Sequence, residues 1–476
     1  MEMAAGSGSA DVEEPADSGR QHIGVALSGG GHRAGLFGLG ALLYLIDAGK
    51  GPEIAALSSI SGGSLTNGFV GASCDVTKVE PTAFWQQVKP LAQKLGSGGT
   101  LWASPLTFGY LGSGVAVVGG GVALTAILPA VWSWPVWAGA AALVGWLAQQ
   151  RSAVARRAFD RALFRRRRLR DMHTTVDHVI CAADLQTAEL VYFSSRFVYA
   201  WRVGWGTPED LPLATAVQAS AALPGAFNSV TLPVARFGFP RTPQPSAAPA
   251  APAGDDPFSE ASLAAFRLSD GGVYDNMGTE WPLRLAPRLR EGGPASGIPP
   301  HAVDELVVVN GSAPQQVTAR RSLRMPLVGE VTTLLAVKDV LYDQTTAVRR
   351  RLMDLRFKIA RKPAADPGGA LAGTLVQIDR DPFDLPDAFA PHDDDMGRRA
   401  RAAVARLGDT EANRDAWGRE RKANQAVGTA LSRIPVQRAA SLLRHAYALT
   451  MVNSHVLLGY PLRDVPDLAR FEELVR

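Results

Sequence analysis

The chain has 476 residues, 46% of them hydrophobic and 20% charged, which is enough for a large core that needs no covalent cross-links. The formal net charge of +4 is close to neutral for this length, so the composition gives no case for a nucleic-acid partner. Cys74 and Cys181 are the only cysteines, which excludes a disulfide framework and indicates a reducing compartment.

The first 20 residues are small, polar and acidic, and we expect them to form a disordered tail. They lack the basic start and the apolar stretch of a secretory signal. We therefore expect the folded part of the protein to stay in the cytoplasm.

Apolar runs that end in small residues predict a parallel sheet. Residues 22–31 and 53–60 read as two buried strands, and the helical pattern of residues 32–49 lies between them. Strand, helix and strand in this order form a βαβ unit, so we predict an α/β fold: a three-layer sandwich with a mostly parallel central sheet. Further strands are predicted at residues 178–185, 190–195, 305–312 and 374–379, and one more short strand is predicted to end at Asp270.

The same patterns predict the domain organisation. A main domain of residues 21–94 and 171–390, which will carry the candidate functional residues, is interrupted by an insert at 95–170. Residues 239–257 are rich in Pro and Ala and predict a surface loop that cannot pack. Residues 391–476 predict a C-terminal helical region, solvated in its charged first part.

The insert carries no charged residue from Leu95 through Gln150. Its two apolar blocks, 111–128 and 130–148, reach the roughly 17–25 residues that a membrane-spanning helix needs. Arginines crowd residues 151–170 directly afterwards, as the positive-inside preference requires. We predict a membrane hairpin, either spanning or lying in the membrane plane, and the alternative is a helical hairpin buried in a soluble domain.

Ser61 lies in the run Ser-Ile-Ser-Gly-Gly-Ser, where the second predicted strand gives way to a helix. The pattern is similar to the nucleophile elbow G-x-S-x-G, with Ser59 in place of the first glycine. The helix that follows would direct its positive dipole end toward the serine. Ser61 is therefore the candidate nucleophile, and an ordinary small-residue turn is the alternative.

A glycine loop, Gly29-Gly30-Gly31, follows the first predicted strand and precedes Arg33. Parallel strands bring this loop and Ser61 to the same carboxyl edge, where backbone N–H groups of successive glycines can bind an oxyanion. Arg33 could hold the loop in shape or meet an anionic head group. A dinucleotide loop is disfavoured, because the second strand ends without the acidic residue that binds the ribose.

Asp270 ends a predicted strand and precedes Gly271-Gly272, so its carboxylate projects at a strand edge. A serine nucleophile needs a base, and Asp270 can supply it directly in a Ser/Asp dyad. A Ser-Asp-His triad is the competing arrangement, and the histidines late enough in the chain for it are His301, His392, His445 and His455.

Taken in order, the Gly-Gly-Gly-His-Arg loop, Ser61 in its small-residue turn and Asp270-Gly271-Gly272 resemble the patatin-like phospholipases and acyl hydrolases. The segments 182–195 and 216–227 resemble that family's strand pair and small-residue segment. The Ser-Gly-Gly-Ser elbow resembles most the cytosolic calcium-dependent phospholipase branch. The resemblance covers roughly residues 23–278, apart from the insert, which is not part of the family pattern.

The resemblance implies that Ser61 is acylated, that Asp270 is its base, and that Gly29, Gly30 and Gly31 form the oxyanion hole with Arg33 beside it. It also implies ester hydrolysis of glycerolipids without a metal or an organic cofactor. We therefore expect a phospholipase A or lysophospholipase acting on membrane phospholipids or lysophospholipids. The alternatives are a catalytically inactive membrane scaffold and a soluble esterase or thioesterase.

The apolar hairpin and the arginines that follow it within the insert imply attachment to a membrane, with the catalytic domain facing the cytoplasm. The arginine- and alanine-rich composition indicates the inner membrane of a bacterium.

Overall fold

The computed structural model describes residues 22–239, 263–313, 326–361 and 371–476. The predicted N-terminal tail and nearly all of the Pro/Ala-rich loop lie outside the described residues. All described strands belong to one sheet. They are β1 (Ile23–Leu27), β2 (Ile54–Ser59), β3 (Asp177–Asp184), β4 (Glu189–Phe193), β5 (Val198–Ala200), β6 (Gly204–Gly206), β7 (Val230–Pro233), β8 (Ala265–Asp270), β9 (Glu305–Asn310) and β10 (Ala372–Gln377).

Helices connect these strands and cover both faces of the sheet. They are α1 (Gly31–Asp47), α2 (Gly62–Ser73), α3 (Pro81–Gln93), α4 (Pro105–Ile127), α5 (Ser133–Gln149), α6 (Arg151–Phe159), α7 (Leu213–Ser220), α8 (Gly272–Asp275), α9 (Glu280–Arg290), α10 (Pro326–Ala360), α11 (Asp384–Phe389), α12 (Asp395–Leu407), α13 (Glu411–Gln425), α14 (Val436–Leu458) and α15 (Leu468–Val475).

The predicted three-layer α/β fold is confirmed. Parallel pairing joins the strands β10-β9-β1-β2-β3, and antiparallel pairing joins β3-β4-β5-β6 and β3-β8-β7. The strand predictions are confirmed for β1, β2, β3, β4, β8, β9 and β10. The short strands β5, β6 and β7 were not predicted, because three or four residues carry too little periodicity to recognise.

Alternating side chains of the strands divide the core into two layers. Val25 and Leu27 of β1 face the cluster that contains α1 and α14, while Ala26 faces Met353 of α10. Trp281 of α9 packs on the same side as α10, against the other half of the sheet. Successive side chains of each strand point to opposite faces of the sheet, and helices bury both faces.

The pairing of β3 brings the ends of β2 and β8 together. The first half of β3 pairs with β2, up to Ser59 opposite Ile180, and its last residues pair with β8, where Ala182 lies opposite Asp270. Because β4 occupies the other edge of β3, β8 continues on the side that β2 has left. The last residue of β8, Asp270, therefore lies next to the turn that follows β2.

The helices α4 and α5 form an antiparallel hairpin that stands away from this core. Two helical runs are long and apolar enough to cross a membrane: Pro105–Ile127, with a mean hydropathy of 1.6, and Ala130–Phe164, which contains α5 and α6, with 1.2. Only 6% and 0% of their most apolar windows are buried. The predicted alternative, a hairpin buried inside a soluble domain, does not fit this exposure.

The arginine-rich segment after the hairpin is partly packed. Ala155, Ala158 and Phe159 of α6 are buried in the core, and Arg168 and Arg170 pair with Asp210. The exposed arginines of the segment are Arg157, Arg161, Arg165, Arg166, Arg167 and Arg170.

The C-terminal helical region belongs to the same core as the main domain predicted at residues 21–94 and 171–390. Helices α12 and α13 expose most of their charged residues, in line with the predicted solvated helices. By contrast, α14 is buried against α1 and β10, and its residues Leu442, Ala446 and Leu449 belong to the main hydrophobic cluster.

Candidate active site

Ser61 occupies a strained turn between β2 and α2. Its backbone has φ 48° and ψ −113°, a conformation that side-chain-bearing residues rarely adopt. Ile60 and Gly62 on either side are buried, whereas Ser61 itself is only partly buried. The turn therefore presents the Ser61 side chain at the carboxyl edge of the sheet, as a nucleophile elbow does.

Ser59 stands where the elbow pattern has its first glycine, and its surroundings accommodate the hydroxyl. The Oγ of Ser59 donates to the carbonyl of Val179 over 3.2 Å. It also accepts hydrogen bonds from Ser64 Oγ at 3.1 Å and Asn67 Nδ2 at 2.9 Å. The Ser59 hydroxyl that replaces the glycine of the pattern is thus hydrogen-bonded locally. The strained turn at Ser61 is still formed.

The glycine loop lies directly against the Ser61 turn. A Cβ added to Gly62 would lie 2.0 Å from the carbonyl oxygen of Gly31, and one added to Gly29 would lie 3.4 Å from Ser61 Cβ. Any side chain at Gly62 would push the two loops apart. The predicted meeting of the glycine loop and Ser61 is present in the structure.

The backbone N–H groups of the glycine loop differ in whether they donate a hydrogen bond within the protein. Gly29 donates its N–H to the carbonyl of Asn276 over 2.9 Å. Among the described residues, none accepts a hydrogen bond from the N–H of Gly30 or Gly31. Gly30 and Gly31 adopt φ 133° and 63°, which turn their peptide groups away from the strand direction.

Arg33 is buried, and its guanidinium is used within the protein. Nε donates to the carbonyl of Gly311 at 2.9 Å, Nη1 to the carbonyl of Val427, and Nη2 to Thr429 Oγ1 at 3.1 Å. Burial lowers the pKa of Arg33 to about 10. Of the two predicted roles, these contacts favour holding the loop in shape over meeting an anionic head group.

His32 connects the glycine loop to two distant segments. Its Nδ1 lies 2.8 Å from the carbonyl oxygen of Ser432, and its Nε2 lies 2.7 Å from Thr100 Oγ1 at the start of the hairpin. Its backbone N–H donates to Ala430 over 3.0 Å. The C-terminal segment 427–432 therefore lies across the glycine loop.

Asp270 is buried at the end of β8 and is connected to the Ser61 turn through Ser220. The Oγ of Ser220 accepts the backbone N–H of Ser61 over 3.0 Å, and the carbonyl of Ser220 accepts the N–H of Gly271 over 3.2 Å. Asp270 Oδ1 accepts the N–H of Gly272 over 2.8 Å. One residue thus holds both the turn of the candidate nucleophile and the turn of the candidate base.

A tyrosine from α10 borders Asp270. A Cβ added to Gly272 would lie 2.6 Å from the ring of Tyr342 and 2.9 Å from Asp270 Oδ1. Burial, and then the charge of the Asp270 carboxylate, raise the pKa of the Tyr342 hydroxyl far above its usual range. Thr346, one turn later, accepts a hydrogen bond from Asn276 Nδ2 over 3.1 Å. Helix α10 therefore covers the Asp270 turn.

The late histidines considered for a triad are engaged elsewhere. His301 Nδ1 lies 3.0 Å from Asp177 Oδ2, His445 Nε2 2.8 Å from the carbonyl of Arg380, and His455 Nδ1 2.6 Å from the carbonyl of Tyr460. The ring of His392 contacts Phe389. In each of these contacts the partner of the histidine is a residue other than Ser61 or Asp270.

Three residues at the site were not singled out from the sequence: Ser220, Asn276 and Tyr342. Ser220 lies inside the small-residue segment 216–227, and Asn276 closely follows Asp270, so both had a local signal. Tyr342 lies far along the chain, in a helix whose pattern gives no reason to place it at the site.

Comparisons with known proteins add little to this geometry. No family model and no curated protein matches the chain. Among solved structures, human GIVD cytosolic phospholipase A2 matches with 15% identity over 38% of this chain and 22% of that chain, with a TM-score of 0.23. The match spans less than a quarter of that protein, and a TM-score this low gives no information about the function of the chain.

Proposed function

We propose that the protein is a serine acyl hydrolase that cleaves fatty-acyl esters of membrane phospholipids or lysophospholipids, as a phospholipase A or lysophospholipase would. Ser61 is the nucleophile and Asp270 is its base. The observation that carries the proposal is the strained backbone of Ser61, at φ 48° and ψ −113°, between a parallel strand and a helix N-terminus. Turns of this kind expose a reactive hydroxyl above the sheet.

The reaction follows from the proposed roles. Asp270 takes the proton of the Ser61 hydroxyl while Oγ attacks the carbonyl carbon of the ester. The N–H groups of Gly30 and Gly31, together with the N-terminal end of α2, stabilise the negative charge on the carbonyl oxygen. The proton then passes from Asp270 to the departing alcohol, which leaves the acyl group on Ser61. Water hydrolyses this acyl-enzyme in the same way, releasing the fatty acid and restoring both side chains.

The hairpin supports a site of action at a membrane. Its exposed side chains are almost all apolar, and α4 has 23 residues, close to the roughly 20 that cross the hydrocarbon core. The exposed arginines between Arg157 and Arg170 follow it directly, and each basic residue near an anionic surface contributes about 1 kcal/mol. The catalytic body would then face the cytoplasm, on the side of the arginines.

Fluorophosphonate labelling together with lipid mass spectrometry tests the proposal. We expect the wild-type protein to be labelled at Ser61 and to release fatty acids from membrane phospholipids, and Ser61→Ala to do neither. Asp270→Asn should take up label far more slowly, because the serine hydroxyl loses its base.

Ser73→Ala is the matched control, because Ser73 lies at the other end of the same helix, α2. It should behave as the wild type does. A wild-type protein that takes no label while remaining membrane-bound would support the inactive scaffold instead. Recovery of the intact, active chain in the soluble fraction would support a soluble esterase.

A further inference from the structure

The hairpin contains an apolar groove between its two helices. The groove has a volume of about 660 Å³ and is lined by residues of α4 and α5, among them Tyr110, Gly114, Val118, Gly119 and Val144. This volume lies within the roughly 300–1,000 Å³ of sites that hold small molecules.

Two glycines, Gly114 and Gly119, form part of the groove lining and leave space there. No atom lies within 4 Å of a Cβ added to Gly114 or to Gly119. The one hydroxyl in the lining, that of Tyr110, donates to the carbonyl of Leu147 over 3.0 Å, so it is satisfied within the hairpin. Water would find few partners in such a groove, whereas a hydrocarbon chain needs none.

The groove lies in the half of the hairpin that adjoins the catalytic body. Its residues on α4 run from Tyr110 to Gly119, about 13 Å at the helical rise, and those on α5 lie in the final turns. Its base is therefore close to Gln149, where the chain returns from the hairpin to the body.

The chain just before and just after the hairpin contacts two segments that adjoin the residues around Ser61. On one side, Thr100 contacts His32, the residue after the glycine loop. On the other side, Arg151 Nη2 donates to Asn228 Oδ1 and Ser152 Oγ to the Asn228 carbonyl, each over 2.7 Å. Asn228 follows α7, the helix that ends at Ser220. The groove end of the hairpin is thus tied to the residue after the glycine loop and to the segment that follows Ser220.

We propose that this groove holds one fatty-acyl chain of the lipid whose ester is cleaved at Ser61. The proposal rests on the proposed function and adds a substrate site built by the insert. An apolar groove at the end of the hairpin that is tied to the segments around the Ser61 turn matches the chemistry of an acyl chain. The chain would stay in apolar surroundings while its ester group reaches the edge of the sheet. The depth left open by Gly114 and Gly119 would then set the length of chain that is accepted.

Glycine-to-leucine substitutions on the two faces of α4 test the groove. Gly114→Leu and Gly119→Leu place a side chain inside it, whereas Gly112→Leu and Gly120→Leu place the same side chain outside its lining. No atom lies within 4 Å of a Cβ added at any of the four positions, so the comparison isolates the groove. We measure hydrolysis of palmitoyl and octanoyl lysophospholipids.

The groove variants should lower the palmitoyl-to-octanoyl rate ratio about tenfold or more, the scale on which apolar pockets discriminate chain length. The control variants should keep the wild-type ratio. Fluorophosphonate labelling of Ser61 should be unchanged in all four. An unchanged ratio in the groove variants, or the same change in the controls, would overturn the acyl-chain site while labelling of Ser61 upheld the proposed function.

A binding measurement decides the proposal without catalysis. Ser61→Ala protein in phosphatidylcholine vesicles that contain a diazirine-bearing palmitoyl phospholipid should cross-link at Val118 and Val144, and Gly114→Leu should reduce this yield. Cross-linking spread evenly over the outer face of α4 would indicate bulk lipid only. Cross-links from the groove to a second copy of the chain would likewise reject the acyl-chain site.

Discussion

At the scale of residues, the candidate site depends on hydrogen bonds as well as on the two reacting side chains. Ser220 Oγ accepts the Ser61 N–H and donates to the carbonyl of Cys181 over 2.6 Å. It also bonds to Ser64 Oγ over 2.9 Å. Since the Ser61 backbone is strained, these contacts help to keep its turn in place. Ser220 is therefore a positioning residue for the proposed nucleophile.

We predict that Ser220→Ala lowers kcat on a soluble ester about tenfold or more and changes KM little, because it displaces the nucleophile and leaves the groove untouched. It should also reduce the free energy of unfolding by roughly 1–3 kcal/mol, the cost of unpairing buried polar groups. Steady-state kinetics and urea unfolding measure the two effects.

Ser269→Ala is the control, since Ser269 is a buried serine whose Oγ donates to the carbonyl of Ala222 over 3.1 Å. It should lose stability without the drop in kcat. A Ser220→Ala enzyme with wild-type kcat would show that Ser220 has no positioning role.

At the scale of elements, the hairpin has the dimensions of a transmembrane pair. The 23 residues of α4 extend about 34 Å, against roughly 30 Å for the hydrocarbon core. Exposed tryptophans mark both ends: Trp132 and Trp134 at the tip, and Trp102 and Trp146 toward the base. Tryptophans collect at the two interfaces of a membrane, and on this spacing we propose a spanning hairpin rather than one that lies in the membrane plane.

We predict that the tip of the hairpin emerges on the side opposite to the catalytic body. Val131 at the tip is 70% exposed, and the native Cys74 and Cys181 are buried, so Val131→Cys gives a single accessible thiol. In intact cells, a membrane-impermeant maleimide added outside should label Val131→Cys.

Gln186→Cys, at an exposed position of the catalytic body, should react only after the membrane is opened. Protection of Val131→Cys in intact cells, followed by its labelling after lysis, would indicate a hairpin that enters and leaves the same leaflet.

At the scale of the whole molecule, three buried histidines lie in different parts of one core. They are His32 on α1, His178 on β3 and His445 on α14. Burial lowers the pKa of each to about 4. Between about pH 6.5 and pH 4 the unfolded chain binds protons at these positions and the folded protein does not, so acid favours unfolding.

We predict that the free energy of unfolding is highest above about pH 6.5 and falls steadily toward pH 4. Each histidine contributes a loss of roughly 3 kcal/mol over this range, from about 1.4 kcal/mol per unit of pKa difference. Urea unfolding of His178→Gln across this range should show a shallower slope than the wild type.

His392→Gln is the comparison, because His392 is exposed and its ring packs at the edge of the core against Phe389. Its unfolding should follow the wild-type dependence on pH. A His178→Gln protein with the full wild-type slope would show that His178 is already protonated in the folded state.

Much of the fold was predictable because its signals are local. The strands that carry Ser61 and Asp270 end where apolar runs meet glycines, and the ends of β2 and β8 were placed within a residue or two. The hairpin was predicted from the absence of charge and the length of two apolar blocks. The contribution of the C-terminal region was missed, because the burial of α14 against α1 depends on residues about 400 positions apart.

The positions and contacts of individual residues were predictable only in part. Ser61, the glycines and Asp270 stand in recognisable patterns, and the structure brings their loops to one edge. The engagement of Arg33 with Val427 and Thr429 has no counterpart in local sequence, so its two possible roles could not be separated. The contact of Tyr342 with the Asp270 turn could not be predicted from the sequence either, because a single tyrosine in a long helix forms no recognisable pattern.

The sequence by itself determined the α/β class, the order of the three candidate loops and the presence of an apolar hairpin, because periodicity, glycine turns and uncharged runs act over a few residues at a time. Only the tertiary structure decided that β8 runs antiparallel to β3 beside the end of β2, and that Ser220 joins the two turns. It also decided that the C-terminal segment lies across the glycine loop. These arrangements come from contacts between residues far apart in the chain, whose free energy depends on the packed core as a whole.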